Sequence, residues 1–381
     1  MVPTTVTRRL SIFFAVLQIA VLVTSVHASE YDAEDDGSGI AGAVYTMSNA
    51  STGNAILRFN RAANGSLTAA GSFPTGGTGS GGGLGNQGAL ILSSDNRWLY
   101  AVNPGSNDIS VFAVRPRGLE LTDKVSSGGI RPVSLTVDRD LLYVLNAGGD
   151  GNINGFTIKR NGRLTPLAGS TRPLSGPNTA PAQIGFDPEG KVLVVTEKAS
   201  NLISTYVVSA NGLANGPLIS NSVNATPFGF SFDRRGRLLI SEAAGGAVDA
   251  SSVSSYTVTD DGMLKVISPA VATTETAACW VVITRNGRFA YVSNTGSGSL
   301  TAYRVARNGS IALRDADGRT GDTGTGSGPL DIAFTNNDRF IYTLNNGTRN
   351  LGAFRVQANG ALVAISGAKG LPIGANGLAA Y

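Results

Sequence analysis

A unit of about fifty residues recurs seven times along this chain, and no other feature narrows the possible folds as far. The copy at 328–362 shows it most clearly. A compact apolar run at 330–334 is broken by Asn336-Asn337-Asp338, and a second run at 340–344 ends in Asn345. An alternating stretch follows at 351–356, and Asn359-Gly360 then turns the chain into a return strand. Asn-Gly between apolar runs favours a hairpin because both residues tolerate the positive φ of the tight turn. The hairpin glycine returns at Gly65, Gly118, Gly162, Gly212, Gly262, Gly309 and Gly360, at intervals of 44 to 53 residues. One small sheet of this kind cannot bury both faces alone, so successive copies must pack on one another. Seven copies of four strands predict an all-β fold, a seven-bladed β-propeller with four-stranded blades, which leaves only short strand edges exposed.

The two ends of the chain are expected to close the ring. Six copies have their own innermost strand, starting near Gly88, Pro132, Ala182, Phe228, Trp280 and Leu330. The copy beginning at Ala43 has none ahead of it, and Gly377-Leu378-Ala379-Ala380-Tyr381 reads as an innermost strand with nothing after it. The C-terminal strand is therefore predicted to complete the first blade beside 44–47. Residues 42–381 then form one domain.

Ahead of the repeats, residues 1–28 read as a secretory signal. Arg8 and Arg9 form its positive end, an apolar run over 10–23 is broken only by Ser11 and Gln18, and Val26-His27-Ala28 offers small residues for cleavage. The run is short of the roughly 20 apolar residues a membrane-spanning helix needs. Residues 29–41, with Asp32, Glu34, Asp35 and Asp36, are expected to be an acidic, disordered tail. The mature protein is accordingly expected to be secreted or periplasmic, monomeric, and free of the membrane after signal cleavage. Cleavage would remove His27, the single histidine. The single cysteine, Cys279, can form no internal disulfide and reads as a small, buried apolar residue. Charged residues are 15% of the chain, the net charge is +4, and no Lys/Arg block occurs, so no nucleic-acid partner is expected.

In a propeller the innermost strands line the central channel. The loops leading into them share a face with the loops between second and third strands. The residue ending each second strand is Asn49, Asn103, Asn146, Glu197, Glu242, Asn294 and Asn345. Asparagine caps turns with its own side chain. Glutamate is poorer at that task, so Glu197 and Glu242, on adjacent copies, are candidate catalytic carboxylates. A carboxylate serves as a general base when burial or a like-charged neighbour raises its pKa. Gln87, Arg131, Gln183, Phe228, Trp280 and Asn376 lead into innermost strands and, with Asn294, are expected to surround a small-molecule substrate or ligand. Arg131 could fork onto a substrate carboxylate, while Phe228 and Trp280 could wall a ring. The plain alternatives are a surface arginine and two core aromatics. No metal or cofactor is assigned. A calcium ion among Glu197, Glu242 and the asparagines is the alternative, because hard cations take carboxylate and amide oxygens. The glycine-rich run at 77–82 fits a dinucleotide fingerprint only literally, since it lies in a flexible loop between copies.

The repeats resemble the seven-bladed propeller lactonase family, which includes 6-phosphogluconolactonase and fungal carboxymuconate-lactonising enzymes. The resemblance spans 42–381 and is best marked at 182–190, at 226–242 and at Ala278-Cys279-Trp280. It implies lactone hydrolysis or formation on a polar face of the propeller, without an obligatory metal, by Glu, Arg and His residues. Glu242 falls where such enzymes carry an Asn-Glu pair, and Glu197 where they often carry Asp. The chain departs from the pattern elsewhere. It has Pro227-Phe228-Gly229 in place of Arg-His, Gln183 in place of His, and Ser200-Asn201 where an Arg often follows. The resemblance thus implies a lactonase or cyclase-like enzyme, with Glu242 as acid/base and Glu197 or Arg131 orienting the substrate. The alternative is a non-catalytic propeller that binds a small molecule, glycan or protein.

Overall fold

The structure is a computed structural model that describes residues 1–3 and 39–381, so most of the predicted signal and most of the predicted tail lie outside the described residues. From Ile40 onward the chain forms seven antiparallel sheets, numbered here as blades 1–7 along the chain. Each runs innermost, second, third and outer strand in order. Among the described residues the sole helical element is the 3-10 turn Ala244–Gly246.

Blade 1 is built from both ends of the chain. Its second, third and outer strands are Ile40–Met47, Ala55–Ala62 and Leu67–Pro74, and its innermost strand is Asn376–Ala380. The register pairs Val44 with Ala380, Tyr45 with Ala379 and Thr46 with Leu378. Beyond the ladder, Tyr381 N donates to Ala43 O at 3.0 Å and Arg61 Nε donates to Tyr381 O at 3.0 Å. The first strand begins two residues ahead of the predicted boundary, because Ile40 still pairs with Ala62 across a bulge.

The outer position is split in two blades. In blade 3, Leu164–Pro166 and Arg172–Pro173 both pair with Asn152–Ile158; in blade 6, Ile311–Leu313 and Gly321–Asp322 both pair with Ser299–Val305. Proline has no N–H to offer a ladder, so Pro166 and Pro173 mark where the blade 3 edge stops pairing.

The hairpin glycines explain how blades dock. Gly162 has a φ of +79°, and a Cβ there would lie 2.3 Å from the Trp98 ring of blade 2. Gly118 has no positive φ, yet its Cβ would lie 2.8 Å from Phe73 of blade 1. Close approach to the preceding blade, more than the turn itself, is therefore what the repeat demands. Buried tyrosines fasten the same joints: Tyr143, Tyr291 and Tyr342 donate to the carbonyls of Gly212, Gly360 and Gly65 at 2.7, 2.9 and 2.8 Å. Second strands such as Val192–Glu197 are buried along their whole length, which accounts for a continuous apolar run where a half-exposed strand would alternate.

Candidate active site

The residues ending the second strands act as buried struts. Asn103 Nδ2 donates to Ser110 Oγ at 2.8 Å, and Asn294 Nδ2 donates to Ser299 Oγ and Thr301 Oγ1 at 3.0 and 2.9 Å. Glutamate can only accept, and the two Glu blades supply donors in the same places. Ser204 Oγ donates to Glu197 Oε1 at 2.6 Å, with Ser175 donating from both its N–H and its hydroxyl. Glu242 receives Ser252 at 2.5 Å, Ser254 at 2.7 Å and Asn224 N at 3.1 Å. Both glutamates have no exposed surface. Burial raises the Glu242 pKa, opposed by the bonds from Ser252 and Ser254; Glu197 is not among the causes. The structure therefore gives each carboxylate a place inside its own blade, and neither lines a cavity described here.

The central channel is divided by a plug. The linker between blades 1 and 2 dips into it at 84–88. Asn86 Nδ2 donates to Val133 O of blade 3, and Gln87 N donates to Ala182 O of blade 4 at 3.1 Å. On the far side the Gln87 carboxamide makes paired bonds with Val281 O and N, at 2.9 and 3.2 Å, and Trp280 Nε1 donates to Asn86 O at 2.7 Å. Gln87 and Trp280 are thus anchors of the plug. The glycine-rich run just before it is pinned as well, since Gly79 and Gly81 donate to Ala50 O and Asn49 O at 2.8 Å each. Gln183 bridges to Phe230 through bonds of 3.0 and 2.7 Å and, with Gln87, lines a chamber of about 460 Å³ on one side of the plug. Asp331 is the buried acid of this chamber, its pKa raised well above the usual range by burial. Asn294 and Asn376 are buried, at 0% and 2% exposure, and line none of the cavities described here.

A second cavity, of about 440 Å³, lies on the other face, where the innermost strands begin. Gly83, Leu84 and Gly85 form one wall from the plug, Arg131 and Ala147 come from blade 3, and Pro181 and Lys198 from blade 4. Arg131 holds an uncommon backbone, with φ +57°, and its N–H is fixed by Asn107 Oδ1 at 2.7 Å. Ala180, Thr226 and Ala277 hold left-handed φ of 48°, 62° and 57° at the equivalent lips. Such a position costs a non-glycine residue about 1 kcal/mol; strain of this sort clusters at functional surfaces. The Arg131 guanidinium makes no hydrogen bond or ion pair among the described residues. Lys198 Nζ donates to Gly85 O and to Pro181 O, the latter at 3.3 Å, and stands 4.9 Å from the centre of the Phe228 ring. That ring lies 5.0 Å from Trp280. Desolvation, opposed by Cys279 and aided to a lesser degree by the charge of Arg131, lowers the Lys198 pKa to about 8. Cys279 is itself buried, its thiol pushed up to about 12, which suits an inert core residue.

The comparisons with known proteins agree with this architecture. The family model described as "Lactonase, 7-bladed beta-propeller" matches residues 41–175 and 247–375. This chain belongs to that family. A 6-phosphogluconolactonase of Yersinia pestis (strain Pestoides F) is 24% identical over 276 residues, covering 71% of this chain and 79% of the relative. Among solved structures, a putative 6-phosphogluconolactonase from Bacteroides uniformis superposes with a TM-score of 0.68 at 18% identity, covering 88% of this chain and 99% of its own. The periplasmic gluconolactonase of Pseudomonas aeruginosa gives 0.68 at 17% identity, covering 87% and 98%. The match to the lactonase family leaves out 176–246, the stretch that carries Lys198, Phe228 and both glutamates.

Of the nine residues proposed from the sequence of this lactonase-family chain, Arg131 alone lines the cationic cavity. Phe228 and Trp280 stand behind its wall. Lys198 was missed, although the repeats contain the signal. The residue after each second-strand terminus is Ala50, Pro104, Ala147, Lys198, Ala243, Thr295 and Asn346, so a charge occurs there once.

Proposed function

We propose that this chain is a lactone hydrolase whose substrate, a small lactone carrying an anionic group, binds in the cavity between blades 3 and 4. The observation that carries the reading is the lining: Arg131 and Lys198 are its ionisable side chains, both are basic, and no described carboxylate faces it. When water adds to a lactone carbonyl, negative charge develops on the carbonyl oxygen. The unpaired Arg131 guanidinium offers paired donors to that oxyanion or to the substrate's own anion. Lys198 supplies the base. With a pKa of about 8, part of its amine is neutral near pH 7 and takes a proton from the attacking water. The resulting ammonium returns the proton to the ring oxygen as the carbon–oxygen bond breaks, and the open hydroxy acid leaves. Residues 39–381 contain no histidine, and this scheme needs none. Glu197 and Glu242 then support their blades rather than react.

The test is steady-state turnover on a panel of aldonolactones and muconolactones, corrected for spontaneous opening. Lys198→Met is expected to lower kcat/KM by about 10²-fold or more, and Arg131→Met to raise KM. Wild-type kcat/KM is expected to rise about fivefold from pH 7 to pH 8 as Lys198 loses its proton. Unchanged turnover in folded Lys198→Met would remove that residue from the mechanism. Absence of turnover by wild type on every lactone would favour a propeller that only binds small anions. We further place the mature protein outside the cytoplasm, on the basic, apolar and small-residue pattern of residues 1–28. Amino-terminal sequencing of the exported protein is expected to begin at or near Ser29.

A further inference from the structure

Lys198 differs from the other five lysines of the chain in what surrounds it. Lys124 stands 3.6 Å from Asp108, and Lys191 bridges Glu189 and Asp260 at 2.6 and 2.9 Å. Lys159, Lys265 and Lys369 are exposed to water. Lys198 alone is partly buried, in a cavity wall, beside a guanidinium and an aromatic face, with no carboxylate paired to it. Its two acceptors, Gly85 O and Pro181 O, match the two N–H groups of a neutral amine and leave the nitrogen lone pair without a protein partner. A lysine desolvated beside another cation is the arrangement that turns an ammonium into a nucleophile.

We infer that Lys198 is an imine-forming site for small aldehydes and keto acids that carry a carboxylate, with Arg131 holding the carboxylate. The amine lone pair adds to the carbonyl carbon, two protons pass from nitrogen to the former carbonyl oxygen, and that oxygen leaves as water, giving a C=N bond to Nζ. No oxidant or reductant takes part, and the step reverses with water. The cavity, about 440 Å³, has room for an acid of a few carbons. The lowered acidity constant works in the same direction. An amine of pKa about 8 has about 300-fold more neutral form near pH 7 than an ordinary lysine of 10.5. The inference stands on the cavity and not on lactone hydrolysis, so the two readings fail separately.

The experiment is reductive trapping. The folded protein is incubated at pH 7 with glyoxylate and cyanoborohydride, the hydride reduces any imine to a stable carboxymethyl-lysine, and peptide mass mapping gives the rate at each lysine. Lys198 is expected to react about tenfold or more faster than Lys159 and Lys265. In Arg131→Met, trapping of glyoxylate at Lys198 is expected to fall about tenfold more than trapping of neutral formaldehyde, which loses only the acidity that the guanidinium charge confers. A Lys198 rate equal to that of the exposed lysines in the wild type would overturn the inference. Equal loss for both aldehydes in the arginine variant would overturn the role given to Arg131. Circular dichroism of each variant confirms that the propeller is intact.

Discussion

Lys198→Met should make the stability of this protein less dependent on alkaline pH, by an amount the surroundings of Nζ define. Burial and the neighbouring Arg131 lower the folded-state pKa from 10.5 to about 8, while the unfolded chain keeps the ordinary value. The charged form is thus disfavoured in the fold by about 3 kcal/mol, at 1.36 kcal/mol for each tenfold change in acidity. A base with a depressed folded pKa carries that penalty in full below the folded value. The penalty is relieved as pH rises from about 8 towards 10.5, because the folded state has lost the proton that the unfolded state still binds. Between pH 7 and pH 9.5 the wild type is expected to gain about 2 kcal/mol relative to Lys198→Met. The variant also removes the bonds to Gly85 O and Pro181 O, but that loss, about 1 kcal/mol each, does not vary with pH. Urea unfolding of both proteins at pH 7, 8.5 and 9.5 measures the difference, and other titrating groups cancel between them. A wild-type advantage that stays constant across this range would refute the desolvated-lysine argument.

Deleting residues 376–381 should leave little folded protein at 25 °C, by circular dichroism, because it strips the innermost ladder from Ile40–Met47 and removes the bonds that Arg61 Nε and Ala43 O make to Tyr381. Glu242→Gln should keep kcat within about twofold, as expected for a residue outside the cavity. It should also flatten the stability–pH curve. The raised carboxyl pKa means that wild-type stability falls as pH rises from the unfolded value of about 4.3 through the folded one, and the amide has no such titration. Trp280→Phe leaves the carbonyl of Asn86 without its 2.7 Å donor, and urea unfolding should show a loss of about 1–3 kcal/mol.

The blades were legible because their period is carried by residues with a local job: a glycine that must both turn and yield space, and apolar runs buried on two sides. Ring closure was legible because one copy lacked an innermost strand and the chain ended in one. The split edges of blades 3 and 6 were not, since they depend on which outer residues find a partner. The site was half legible. Arg131 could be placed on the right face from its position ahead of Pro132. Gln87 and Trp280 were placed there too, but their bonds run to residues 194 positions away, across the channel, and no periodic pattern encodes such a contact. Glu197 and Glu242 drew attention as breaks in an asparagine series. What the pattern hid was the compensating series of serines, which lets an acceptor replace a donor at the same post.

The segment at 84–88 changes what kind of assembly the ring is. In a plain array of repeats each unit touches only its neighbours, and stability accumulates joint by joint. Here a stretch entering blade 2 is bonded to blades 3, 4 and 6, so it works like a spoke laid across a wheel. A blade cannot loosen without disturbing a bond on the far rim, which favours melting as a single event over unzipping from the seam. The spoke also lies between the two mouths, so they can evolve as separate surfaces with opposite character. The acid at Asp331 and the bases at Arg131 and Lys198 already stand on different sides of that partition.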